Sequence, residues 1–151
     1  MGAPQSLIAH VDQVIEYFNK RKLDLPDGFF DRRTQFVING APFETLLGQS
    51  PNDPLILMLA RGPAGFRFAA KALQHAIPDA RIERGEVVSD GDPVKVTMRL
   101  WLSGRLRGTA EAVNTVATVT LKLAAAGHVE VAEAALDDLA LGKIREARLR
   151  P

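Results

Sequence analysis

The residues best suited to chemistry lie late in the 151-residue chain, where Asp137 and Asp138 end a run of alternating residues. The alternation predicts a strand over residues 128–139, in which Asp138 shares a face with His128 and Ala132. If that face lines an apolar pocket, burial would raise the pKa of the Asp138 carboxyl toward a range useful for acid–base catalysis, with His128 as a polar helper. The alternative is that both aspartates form a solvated strand end.

Metal and cofactor chemistry have little support in the sequence. Cysteine is absent, and the three histidines, at positions 10, 75 and 128, lack the spacing of metal ligands. The glycines at 62 and 65 bracket a predicted helix start that could bind an anion through backbone N–H groups, although an ordinary turn into the helix is the alternative. The segment has neither the Walker lysine nor the dinucleotide-binding glycine pattern, so we expect no metal and no cofactor.

Charge and hydropathy limit the classes of partner. The chain carries 19 basic and 18 acidic residues, so bulk electrostatic attraction to nucleic acid is not expected. The basic residues that concentrate late in the chain form either a solvated face or a patch for an anion. No apolar run reaches the roughly 18 residues of a spanning helix, and the N-terminus lacks a secretory pattern. We therefore expect a cytoplasmic protein without a membrane partner.

Two amphipathic helices must position these residues. The first is predicted from Ser6 to about Lys22, because its apolar residues recur with helical spacing and form one stripe. His10 and Tyr17 lie on one flank of that stripe, at the edge of the buried face. The second helix follows Gly65 and ends before Pro78.

Strands are predicted after the second helix, in addition to one at 34–38 that ends in the Asn39-Gly40 turn. They cover residues 80–88, 94–102, 128–139 and 143–149. The strand at 94–102 alternates clearly, so Met98 points to one face while Arg99 and Trp101 point to the other. An exposed tryptophan beside an arginine is typical of a subunit interface.

Residues 104–126 admit two interpretations. Their valines and threonines favour a strand, whereas their alanines and the spacing of positions 113, 116, 117 and 120 allow a helix. The segment is therefore either a lid helix or an added strand. With helices first and strands after them, residues 1–151 are predicted to form a single α+β domain.

Four short segments resemble, in order and approximate spacing, segments of the SnoaL-like branch of the nuclear-transport-factor-2-like (ketosteroid-isomerase-like) family. They are AIPD at 76–79, DGDPV at 90–94, GHVEV at 127–131 and GKIRE at 142–146. The resemblance covers about residues 60–149. It implies a cone-shaped, curved antiparallel sheet wrapped on N-terminal helices (a cystatin-like α+β barrel), with an interior pocket and commonly a homodimer.

The family's catalytic patterns carry over only in part. Its isomerases use a carboxylate base near the end of the first strand, where this chain has Asn39, and an oxyanion tyrosine on the first helix, which Tyr17 resembles. Its epoxide hydrolases use an Arg-x-Asp pattern. In this chain the arginine is Arg99, and Trp101 stands at the position of the aspartate. Its cyclases use an aspartate on the later strands, which Asp138 resembles.

The sequence thus predicts a domain that binds a hydrophobic small molecule. It is either a cofactor-independent cyclase or isomerase acting on a polyketide- or steroid-like substrate, or a non-catalytic ligand-binding or dimeric interaction protein of the same fold. The predicted site comprises Asp138 as the acid–base residue, with Tyr17, Asn39, Met98 and His128 contacting substrate.

Overall fold

A computed structural model describes residues 5–24, 30, 33–42, 61–89, 95–123 and 129–148. Three helices and six strands lie within these ranges. In chain order they are α1 (Gln5–Asn19), β1 (Gln35–Ile38), β2 (Ala41–Pro42), α2 (Gly62–Ala76), β3 (Arg81–Ser89), β4 (Lys95–Arg105), β5 (Ala112–Leu123), β6 (Val129–Ala135) and α3 (Asp138–Arg148).

The strands form one open sheet in the order β2-β1-β6-β5-β4-β3. All neighbouring strands pair antiparallel except β1 and β6, which run parallel. The helices pack on one face of this sheet, which gives the cone-shaped α+β architecture that the family resemblance implies. The sheet was expected to be antiparallel throughout. The exception is β1, which pairs parallel with β6, a strand almost a hundred residues later in the chain.

The alternation predicted for β4 is confirmed. Val96, Met98 and Leu102 are buried, whereas Arg99 and Trp101 are exposed. Because side chains of a strand alternate between faces, one face of β4 lies against the core and the other forms the outer surface of the sheet.

Polar contacts fix α1 against β3. The Asn19 side chain pairs with the backbone of Ile82 in both directions: Nδ2 donates to the carbonyl and Oδ1 accepts from the N–H, each at 2.9 Å. About two turns earlier on α1, Asp12 accepts two hydrogen bonds from Arg84, and this contact raises the pKa of the Arg84 guanidinium. Together the two contacts set the apolar stripe of α1 over the inner face of the sheet.

The C-terminal segment folds differently from the prediction. Residues 143–149 were expected to form a strand, but residues 143–148 belong to α3, and β6 ends at Ala135 instead of 139. Asp137 starts the helix: its Oδ2 accepts from the N–H of Ala140 at 3.0 Å, as an N-cap residue does. Ile144 and Ala147, three positions apart, then turn the same face of α3 to the core.

In the described part of residues 104–126, the added strand is the alternative that the structure shows. The twelve residues of β5 pair with both β4 and β6 in the middle of the sheet. Its β-branched residues suit a pleated surface that is buried on one face.

The sequence also predicts a helical turn at 43–47, a short strand or helix in the apolar run at 55–60 and a hairpin turn at 90–92. These three segments lie outside the described residues. In the described part of the chain, no helix is both long and apolar enough to cross a membrane.

Candidate functional site

A partly open cavity of about 360 Å³ lies between α1, α2 and the inner face of the sheet. Helix α1 contributes a continuous stripe to its wall, because its lining residues recur every three or four positions. These are Leu7, His10, Val11, Val14, Ile15 and Phe18. The apolar stripe read from the sequence is therefore the cavity side of α1.

Rows of paired residues across the sheet form the opposite wall. One row runs through Met98, Val119, Ala134 and Ile38, which are successive partners on four neighbouring strands. The next row contains Leu121, Ala132 and Phe36. Paired residues share a face, so these side chains all point toward α1 and α2.

Short side chains account for the empty space. Alanines line the cavity at positions 132 and 134 on β6 and at positions 69 and 70 on α2. A strand and a helix that face each other through alanines cannot fill the space that longer aliphatic residues would occupy. The cavity thus follows from side-chain size at a few wall positions.

Aromatic rings form one part of the wall. The Phe30 ring meets Phe36 edge to face, with centroids 5.4 Å apart, and lies 5.6 Å from the ring of Phe66 at a tilted angle. All three residues line the cavity. Such a cluster offers ring faces and edges to a flat apolar ligand.

Only two of the described lining residues, His10 and Glu133, have ionisable side chains. His10 is exposed although it lines the cavity, which places it at the rim. Glu133 pairs with Thr120, which pairs with Thr97 on the outer face of β4, so the Glu133 side chain points away from the cavity. Within the described residues, the cavity interior is therefore apolar.

The predicted site residues are not gathered around this cavity. Met98 lies in the wall, 3% exposed. Tyr17 is half-buried on α1 and is not among the lining residues, since it lies on the flank of the stripe. His128 lies outside the described residues. The substrate contacts assigned to these three residues remain predictions.

Asn39 and Asp138 are brought together, but away from the cavity wall. Asn39 adopts a φ of 50° in the turn after β1. Its Nδ2 donates to the Leu136 carbonyl and to Asp138 Oδ1, each at 2.9 Å, and its Oδ1 accepts from the Leu136 N–H at 2.8 Å. The Asn39 amide thus extends the β1–β6 pairing by one step and ties it to the first residue of α3.

The residues that sequence reasoning missed are the aromatic wall and His10. His10 was predicted at the edge of the α1 stripe, without a role. The available signal was its spacing: Leu7 and Val14, three residues before and four after it, both face the core. No group of three or more potential metal ligands occurs among the residues that the structure describes.

The outer face of the sheet is the other notable surface. Trp101 is 40% exposed, and its ring lies so close over Gly85 that a Cβ there would be 2.7 Å from Cζ3. Val116, its partner on β5, is equally exposed, and Val88 is also exposed on β3. The homodimer predicted for this face remains a prediction.

No known family model matches the sequence, and no curated protein matches it. The structure is similar to that of a SnoaL-like polyketide cyclase from Agrobacterium tumefaciens, with a TM-score of 0.64 and 19% identity over 95% of this chain and 98% of that one. An NTF2-like protein from Exiguobacterium gives 0.59 and 15% identity over 85% of this chain and 98% of its own. The epoxide hydrolase/cyclase-like enzyme SalBIII, studied for pyran ring formation in salinomycin, gives 0.62 and 15% identity over 90% and 94%. The chain has the fold of the SnoaL-like and NTF2-like proteins.

Proposed function

We propose that this protein binds a compact hydrophobic small molecule in the cavity between α1, α2 and the sheet. The observation that carries the proposal is the cavity itself: about 360 Å³, partly open, with apolar residues at all but two described wall positions. Ligand sites in proteins commonly measure roughly 300–1,000 Å³ and combine apolar walls with a few polar groups. This volume is near the lower end of that range, which favours a compact ligand.

A ring system related to polyketides is the ligand class that we favour over a steroid. The aromatic wall of Phe30, Phe36 and Phe66 suits a flat ring. Structural neighbours named as polyketide cyclases support the same class.

Cofactor-independent cyclase or isomerase chemistry is the second candidate. It is supported by the names of the structural neighbours and by His10 at the cavity rim, since histidine is the side chain most often used for proton transfer. The described wall offers no inward carboxylate to act with it. Binding is therefore supported more directly than turnover.

Thermal-shift and calorimetric titrations with two-, three- and four-ring aromatic alcohols and ketones test the binding proposal. A ligand that binds only the folded state raises stability by about 2.7 kcal/mol at a hundred times its Kd. We expect Ala132→Phe to abolish this shift, because the new ring would occupy the cavity. Ala135→Phe is the matched control, since Ala135 is exposed and shares the outer face with Thr118.

Two results would contradict binding in this cavity. One is the lack of saturable binding of any of these compounds to the wild type. The other is equal weakening of binding by both alanine substitutions, which would place the ligand elsewhere.

Turnover is tested separately with hydrophobic ketones. If Asp138→Asn binds them but no longer converts them, the enzymatic candidate is supported. If conversion is unchanged, Asp138 is not the acid–base residue.

A further inference from the structure

We infer that His10 is the polar contact of the ligand, and that the ligand carries one neutral hydrogen-bonding group, a hydroxyl or a carbonyl, at one end of a compact apolar ring system. This inference rests on the proposed binding function. It goes further by assigning the orientation of the ligand: rings toward the interior, polar group at the opening beside α1.

The position of His10 on α1 is the first step. Leu7 precedes it by three residues and Val14 follows it by four, so the three side chains lie along one face of the helix. All three line the cavity. His10 is nevertheless exposed, which a lining residue can be only where the cavity meets solvent.

The composition of the rest of the wall is the second step. The backbone groups of β4, β5, β6 and β1 are engaged in pairing with neighbouring strands, so the sheet offers few free donors or acceptors to a ligand. The described side chains that face the cavity from these strands are aliphatic or aromatic, apart from the thioether of Met98. A second polar group placed deep in the cavity would lose its water without replacement, so the described wall selects against ligands polar at both ends.

The charge of the lining is the third step. No lysine or arginine occurs among the described residues that line the cavity. A ligand carboxylate would therefore leave water without a fixed cationic partner in the described wall, which is costly for an ion. A neutral group can exchange its hydrogen bond with water for one with a nitrogen of the imidazole.

A double-mutant cycle tests the assignment by calorimetry. The probes are 2-naphthol and 2-methylnaphthalene, which have the same ring system and differ in the hydroxyl. The proteins are the wild type, His10→Leu and His10→Gln. We expect His10→Leu to weaken 2-naphthol binding about fivefold relative to 2-methylnaphthalene, which is the effect of one net hydrogen bond. His10→Gln, which keeps donor and acceptor atoms, should restore most of that preference.

The outcomes separate the two levels of the proposal. If both probes bind the wild type and His10→Leu changes them equally or not at all, the His10 assignment is overturned while the binding function stands. If 2-naphthoate binds the wild type more tightly than 2-naphthol, the neutral-group assignment is overturned. If no ring probe of any size binds the wild type, the binding function fails and this inference fails with it. A thermal melt of each variant shows whether it is folded at the titration temperature, so that a loss of fold is not mistaken for a loss of binding.

Discussion

Replacement of Asn39 by aspartate should destabilise the protein, because it replaces a single hydrogen-bond donor, Nδ2 of the side chain. Asn39 has a positive φ of 50°, a conformation that asparagine and aspartate both tolerate, so the turn itself is conserved in Asn39→Asp. The substitution instead changes Nδ2 from a donor to an acceptor. That atom donates to the Leu136 carbonyl and to Asp138 Oδ1 in the wild type.

The magnitude follows from these two contacts. Two hydrogen bonds at roughly 0.5–1.5 kcal/mol each are lost. The new carboxylate also faces that of Asp138 at close range, which adds about 1 kcal/mol of repulsion in a water-like environment. Because the pair is partly exposed, we expect the free energy of unfolding to fall by about 2–3 kcal/mol at neutral pH.

Urea unfolding followed by circular dichroism measures this change without the screening that guanidinium salts cause. Asn114→Asp is the matched control, because Asn114 is exposed on β5. The control should stay within about 0.5 kcal/mol of the wild type. Equal stability of Asn39→Asp and Asn114→Asp would refute the bridge between β1, β6 and α3.

Three further substitutions test other parts of the structure. Gly104→Ala should lower the free energy of unfolding in urea by about 2–4 kcal/mol, because the φ of Gly104 is +151° and a Cβ there would overlap the buried Ile77. Gly142→Ala is its control. It should raise the free energy of unfolding by roughly 0.5–1 kcal/mol, because a Cβ at this position in α3 would have no atom within 4 Å. Equal stability of the two variants would contradict the close contact between Gly104 and Ile77. Thr34→Val should cost about 1–3 kcal/mol in the same assay, since it removes a 2.6 Å hydrogen bond from a fully buried hydroxyl to a β6 carbonyl; an unchanged midpoint would mean that the bond contributes nothing. Trp101→Glu should shift the predicted homodimer toward monomer in sedimentation equilibrium, and a monomeric wild type would rule out that dimer.

Local patterns were sufficient for the elements whose faces differ sharply. The α1 stripe, the second helix and the alternation of β4 are short-range features, in which the type of each side chain indicates whether it is buried. Met98 could accordingly be placed on the inner face from the sequence. The strand predicted over 143–149 is wrong for residues 143–148, because a short stretch of mixed polarity also fits a helix face, and the Asp137 side chain caps that helix.

Non-local features could not be predicted in the same way. The parallel pairing of β1 with β6 depends on contacts between residues about a hundred positions apart, and nothing in residues 35–38 specifies that partner. The cavity depends on alanines that face each other across it, and the sequence does not tell a small residue that leaves space from one that a neighbour covers. For the same reason His10 was placed at a stripe edge but not at a cavity rim.

The most direct test of ligand binding inside the cone is methionine-methyl NMR on protein labelled with ¹³C-methyl methionine. Met98 is buried in the cavity wall, and Met98→Leu identifies its signal. With 2-naphthol bound, we expect intermolecular nuclear Overhauser effects between the Met98 methyl group and the ring protons of the ligand. Saturable binding with no such effect at Met98 would contradict the proposal that the cavity is the ligand site.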